Sequence, residues 1–169
     1  IPINLYMDHG PSVELARPNV AAAYKAYEEH AAGKRRILKA GDRIPLKGVD
    51  VDVVMSAGQA ITKPLKGAGA ANPACADFKE HSPEMDPDND QSVGIVLQFG
   101  KFRFIDMGDL TWNKEKDLVC PANKIGKVDL YLVSHHGMDM SGSPKWVNAL
   151  RPKVALMNNG GRQGGAPEI

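Results

Sequence analysis

The segment Val128-Asp129-Leu130-Tyr131-Leu132-Val133-Ser134-His135-His136-Gly137 decides how this chain is read. Its apolar half predicts a buried strand over 128–134, with two imidazoles at the strand's C-terminal end. A second run, Lys101-Phe102-Arg103-Phe104-Ile105-Asp106-Met107-Gly108-Asp109, has the same design and ends on a carboxylate. Open α/β sheets place their chemistry beyond the C-terminal ends of their strands. Histidine and aspartate converging there form a donor set that suits a zinc-type ion.

Working outward, 92–99 and 102–107 predict a hairpin turning through Gly100-Lys101. A short helix near 113–119 closes at Cys120-Pro121. The strand 128–134, a helix near 143–150 and a strand over 154–158 follow, and then the glycine-rich tail 160–165. Toward the N-terminus, a strand over 3–7 breaks at Asp8-His9-Gly10-Pro11. Residues 18–32 have helical periodicity, with Val20, Ala23, Tyr24, Tyr27 and Ala31 on one face and Gly33 as the stop. Short strands are predicted over 36–39 and 49–55, where Val49, Val51 and Val53 alternate with Asp50 and Asp52. Residues 56–91 carry few periodic apolar positions, so they read as one long loop, either functional or partly mobile, inside a single domain, 1–169. Strands alternating with helices around a central hairpin predict an α/β, layered α+β fold with a mixed sheet.

Composition narrows the function. The chain has 169 residues, 43% hydrophobic and 24% charged, with a net charge of +1. It is therefore globular rather than disordered. No basic patch dominates, which argues against strong nucleic-acid binding. No apolar run reaches the ~18 residues of a membrane span. The chain opens Ile1-Pro2-Ile3 and closes Gly164-Gly165-Ala166-Pro167-Glu168-Ile169, so both ends read as cuts through a longer protein. Cys75 and Cys120 allow one disulfide or two buried thiols. The bridge is favoured, because each cysteine sits near a proline in an irregular segment that gains from a staple. A bridge implies an exported, bacterial periplasmic-type setting; free thiols imply a cytoplasmic one.

Each candidate residue has a plain alternative. Asp109 can ligate a metal, or it can cap the helix that follows. Adjacent histidines followed by glycine are harder to explain by packing. On a regular strand their side chains point to opposite sides, so one of His135 and His136 ligates while the other orients it or shuttles protons. Asn158-Asn159-Gly160-Gly161-Arg162 offers Asn159 and Arg162 to a substrate carboxylate or phosphate, or is simply a turn. His30 reads as solvated, His81 as a surface residue beside Glu80 and Glu84, and Asp106 as a support for a ligand. Trp112 and Trp146 are expected to pack near the two site loops.

Asn89-Asp90-Gln91-Ser92-Val93, Phe104-Ile105-Asp106-Met107-Gly108-Asp109, Val133-Ser134-His135-His136-Gly137 and Leu150-Arg151-Pro152-Lys153-Val154-Ala155 occur in the order of the metallo-β-lactamase fold hydrolases. The chain resembles that family over roughly 88–160, and within it the branch that includes the hydrolase-like domain of competence DNA-uptake proteins. The resemblance implies an αββα sandwich, of which this chain is largely the C-terminal part. It implies Zn²⁺, two ions in the intact enzyme, with Asp109 bridging them and His135 or His136 completing the second site. Asn89 and Ser92 match an Asn-x-x-Ser element that shapes the start of the central hairpin. The family's His-x-His-x-Asp-His motif is absent. Asp8-His9 imitates its end, but Asn4 and Tyr6 stand where histidines belong.

The expected function is metal-dependent hydrolysis, with a metal-activated water attacking an ester, phosphoester, lactone or lactam bond of a small-molecule or phosphoester substrate. The alternative is a metal-free binding or structural module on the same fold. A third arrangement is a single-metal site built from Asp8, His9, Asp109 and one of His135 and His136. The sequence is silent on oligomeric state.

Overall fold

The computed structural model of the chain describes residues 2–82, 86–161 and 164–165. Strand β1 (Tyr6–Asp8), helix α1 (Pro18–Ala31) and strand β2 (Arg35–Ile37) form a β-α-β unit, with β1 and β2 paired in parallel from Tyr6↔Arg35 to Asp8↔Ile37. Pro18 occupies the first turn of α1, where its missing N–H costs nothing. Gly33, at φ +72°, ends the helix in the left-handed region that glycine tolerates best. The inward face of α1 runs through Val20, Ala21, Tyr24, Tyr27 and Ala31; Ala23, predicted for that face, is exposed.

The main sheet has six strands in the order β4-β3-β5-β6-β7-β8. Its members are β3 (Asp50–Ser56), β4 (Gln59–Ala60), β5 (Gly94–Phe99), β6 (Phe102–Asp106), β7 (Leu130–Leu132) and β8 (Val154–Leu156). The predicted hairpin is present: β5 and β6 pair antiparallel from Ile95↔Asp106 to Phe99↔Phe102 across Gly100-Lys101. In β3 the predicted alternation holds only at first. The register shifts between Val53 and Met55, and Val53, Val54, Met55 and Ser56 are all buried. A bulge turns successive side chains toward the same face, which simple alternation does not foresee. The segment 56–91 is not featureless. It contains β4 and two short 3-10 helices, Pro73–Asp77 and Pro87–Gln91.

The second half follows strand–helix alternation. Helix α2 (Trp112–Val119) joins β6 to β7 and helix α3 (Pro144–Leu150) joins β7 to β8, both strand pairs being parallel. Ile105, Met107, Leu110, Leu118, Tyr131, Trp146 and Leu150 form much of the core under these crossovers. Strand β8 is an edge, with Val154 and Leu156 both more than half exposed. The fold is therefore a mixed α/β sheet with helices on it, as predicted. Cys75 and Cys120 form a disulfide across a separation of 45 residues. Among the described residues, no helix is long and apolar enough to cross a membrane.

The register matters most for function. Asp106 pairs with Leu132, and Leu132 with Leu156, so three parallel strands stop level with one another. The segments leaving them, Met107-Gly108-Asp109, Val133–His136 and Met157-Asn158-Asn159, therefore emerge along one edge.

Candidate functional site

Along that edge lies a cleft of about 70 Å³ lined by Asp106, Gly108, Asp109, Leu132, Val133, His135, His136 and Asn158. Asp106 Oδ1 accepts a hydrogen bond from the Gly108 N–H at 2.9 Å, and Gly108 sits at φ +56°. This tight turn aims Asp109 back toward the cleft. Asp109 caps no helix: the residue at the N-cap of α2 is Thr111. Thr111 Oγ1 donates instead to the Asp90 carboxylate, which ties the segment before the hairpin to the start of α2.

The histidine pair departs from the predicted geometry. Strand β7 ends at Leu132, and His135 and His136 lie in a tight turn at φ +51° and +57°. Alternation across a strand does not apply to a left-handed turn, so both imidazoles line the same cleft. The Tyr131 hydroxyl accepts from the Ser134 N–H at 3.0 Å and lies 2.9 Å from Ser134 Oγ, which fixes where the chain leaves the strand. Burial pushes the Tyr131 phenol up to about 12, so it stays protonated. The His135 N–H donates to the Gly108 carbonyl at 3.0 Å, joining the two motifs through the backbone.

His136 is oriented by the segment that leaves β8. Its Nδ1 lies 2.8 Å from the Asn158 carbonyl, an acceptor only, so Nδ1 carries the proton. In the neutral ring Nε2 then carries the lone pair; Nε2 faces Asp109 Oδ1 at 3.7 Å. Both side chains are close to half exposed. His135 is buried, and its Nδ1 lies 3.4 Å from Ser141 Oγ. Ser141 Oγ donates to the Leu110 carbonyl at 2.8 Å, so toward His135 it acts as an acceptor.

Beneath this lies a residue that the sequence reading missed. Glu115 is fully buried, and its two carboxylate oxygens accept from the Gly142 and Ser143 N–H groups at 2.6 and 2.8 Å. It thereby fixes the loop that carries Ser141 and starts α3, whose N-cap Ser143 Oγ accepts from the Trp146 N–H. Burial pushes the Glu115 carboxyl up from 4.5 to about 7, against the opposing effect of these bonds. A signal for it does exist in the sequence. Glu115 shares a helical face with the apolar Leu118 and Val119, three and four residues on. The role of Asn158 has no such signal, because it works through a backbone carbonyl.

The remaining candidates fall elsewhere. Asn159 is exposed and does not line the cleft, and Arg162 lies outside the described residues. His30 is exposed, with Nδ1 near the Ala26 carbonyl. His81 rests against the Trp112 ring and exchanges hydrogen bonds with Asn113. Trp146 packs edge-on against Tyr131 in the core. The single-metal arrangement through Asp8 and His9 is corrected by the geometry. Arg35 grips the Asp8 carboxylate at 2.7 and 2.9 Å, Tyr27 donates to it at 2.5 Å, and the Gly10 N–H donates at 2.7 Å. Burial raises the Asp8 carboxyl, but these bonds outweigh it and hold the group below its ordinary value. His9 faces Asp88 at 3.7 Å rather than Asp109. Among the described residues, no group of three or more His, Cys, Asp or Glu side chains is arranged to hold a metal ion.

No family model matches the chain, and no curated protein matches it. Among solved structures it is similar to one from Thermotoga maritima, provisionally assigned as a Zn-dependent hydrolase of the metallo-β-lactamase superfamily. The two share 14% identity with a TM-score of 0.37, over 77% of this chain and 53% of that one. The chain thus spans about half the length of that structure. A likeness of this size carries no argument, and the chemistry is argued from the residues alone.

Proposed function

We propose that the chain contributes one wall of a metal-dependent hydrolytic site, with Asp109 and His136 as metal donors and His135 beside them. The observation that carries this reading is the orientation of His136. A backbone carbonyl takes its Nδ1 proton while the opposite nitrogen faces a carboxylate. Ligating histidines are held in this way, because the outer hydrogen bond fixes the tautomer and ring angle. The donor chemistry fits Zn²⁺, for which imidazole nitrogen and carboxylate oxygen are ordinary ligands. Consecutive left-handed histidines add support, since each costs about 1–3 kcal/mol of backbone strain that packing alone does not require.

When bound, the metal supplies an acidified water and polarises a substrate oxygen. The protein groups do the rest. Asp109 Oδ1 and His136 Nε2, 3.7 Å apart, are the atoms that would hold the ion. Asp106 and Gly108 hold Asp109 in place, and Ser141 holds His135 at the buried side of the cleft. The substrate class is an ester, phosphoester, lactone or lactam. Two donors are fewer than zinc needs, so the remaining ligands come from groups beyond this pair. The disulfide is consistent with an exported setting.

A metal-free binding module is the competing reading, favoured by the lack of a three-ligand group among the described residues. Competition for Zn²⁺ against a chromophoric chelator separates the two. Asp109→Asn and His136→Asn are each expected to weaken zinc binding at least about tenfold. Equal zinc affinity in wild type and both variants would sink the metal reading.

A further inference from the structure

A second cavity lies at the other end of the parallel strands. It has a volume of about 710 Å³, within the ~300–1,000 Å³ typical of small-ligand sites. One wall is the segment 67–74, Gly-Ala-Gly-Ala-Ala-Asn-Pro-Ala, whose small side chains leave the space open. Opposite stand Arg103 at the start of β6, Lys127 in the approach to β7, and Arg151 at the end of α3. No Asp or Glu is among the lining residues. Asp129, a carboxylate that acts on Arg103, is occupied by Lys153 at 2.7 Å and by the Arg103 backbone N–H at 2.8 Å.

The wall is built rather than incidental. Asn123 and Gly69 bond through Gly69 N–H to Asn123 carbonyl at 2.7 Å, and Asn123 N–H reaches the Ala70 carbonyl at 2.9 Å. Ala71 and Ala122 form an antiparallel bridge, and the disulfide anchors the segment just beyond the wall. Arg103 is likewise positioned. Its Nη1 and Nη2 donate to the Lys127 and Ile125 carbonyls at 2.7 and 2.8 Å. Its Nε is buried and makes no hydrogen bond, while Nη1 and Nη2 each keep a second N–H. Gly126 admits it, since a Cβ there would lie 3.1 Å from Nη1.

We infer that this cavity is a binding site for a compact organic anion, one anionic head on an apolar body. Arg103, Lys127 and Arg151 hold the head, and the 67–74 wall packs against the body. Three cations facing a cavity with no acidic lining select negative charge. Small apolar walls of that volume accept a ring or short chain. The site is separate from the histidine cleft and does not depend on the metal reading. Arg103 lies three residues before Asp106 along β6, a separation of about 10 Å.

The test is titration of the full chain with phenyl phosphate, followed by amide chemical shifts. Saturable shifts are expected at Gly67, Gly69, Ala70 and Gly126. Inorganic phosphate should bind at least about tenfold more weakly, lacking the apolar body. Lys127→Ala combined with Arg151→Ala should weaken phenyl phosphate at least tenfold while leaving the unfolding midpoint unchanged, because both side chains are exposed. Arg103→Lys should weaken it as well, since it keeps the charge but loses the planar fork. The inference is overturned if potassium chloride at equal ionic strength reproduces the shifts, if 67–74 and Gly126 do not respond, or if the double variant binds like wild type.

Discussion

Replacing Glu115 with glutamine should change how stability depends on pH, and the structure sets the size of the change. The carboxyl ionises near 4.5 when exposed and is pushed to about 7 by burial in the fold. A native pKa above the unfolded one means that the folded state holds its proton more tightly. Stability from this group is therefore complete below about pH 4.5 and is lost as pH rises toward 7. At about 1.4 kcal/mol per tenfold change in proton affinity, the full swing is about 3 kcal/mol. Glutamine cannot ionise, so it removes the swing. It also faces one of the two amides with an NH₂ group, leaving that N–H without an acceptor, at about 1–3 kcal/mol. Urea unfolding from pH 4.5 to 8 checks this. The wild type should lead Glu115→Gln clearly at pH 5, and the gap should close by about 3 kcal/mol by pH 8. A gap that stays constant across that range refutes the reasoning, because Glu115 would then ionise alike in both states.

Three further outcomes follow from single contacts. Ser141→Ala removes a buried hydroxyl that donates to Leu110 and accepts from His135; a loss of about 1–3 kcal/mol in urea unfolding is expected, with weaker zinc binding. Gly137→Ala places a methyl 2.6 Å from Met157 Cε at φ +74°. Destabilisation of about 1–3 kcal/mol should appear in thermal melts, and adding Met157→Ala should restore only part of it, because the backbone angle remains unfavourable. Cys75→Ser with Cys120→Ser opens a closed loop of 45 residues; guanidinium unfolding should show a loss of about 4 kcal/mol, matched by reducing the wild type.

The second half of the chain was legible because its periodicity changes with each element. The run 102–107 is short and mostly apolar, Leu118 and Val119 return to the face of Glu115 at helical spacing, and Gly100-Lys101 marks the hairpin. The contents of the cleft were legible too, since Asp109, His135 and His136 all follow apolar runs that stop level in the sheet. The way they meet was not. A residue pattern specifies a strand but not the point where the chain turns left-handed, and that point put both imidazoles on one side. Glu115 stands between Lys114 and Lys116, so the local charge pattern does not mark it for burial. Its burial depends on two amides supplied from 27 and 28 residues away. The 67–74 wall has no apolar period at all. Its order comes from pairing with 121–124 and from the disulfide, both remote in sequence.

That disulfide gives the molecule an unusual covalent map. The ring closed by Cys75 and Cys120 encircles the whole β5–β6 hairpin, the Gly108-Asp109 turn and helix α2. The histidine pair stands outside it. A single cut between 76 and 119 would therefore leave one molecule of unchanged mass on a non-reducing gel. Only a reductant would part the pieces, and a cut before residue 109 would send Asp109 and the two histidines away together on the C-terminal fragment.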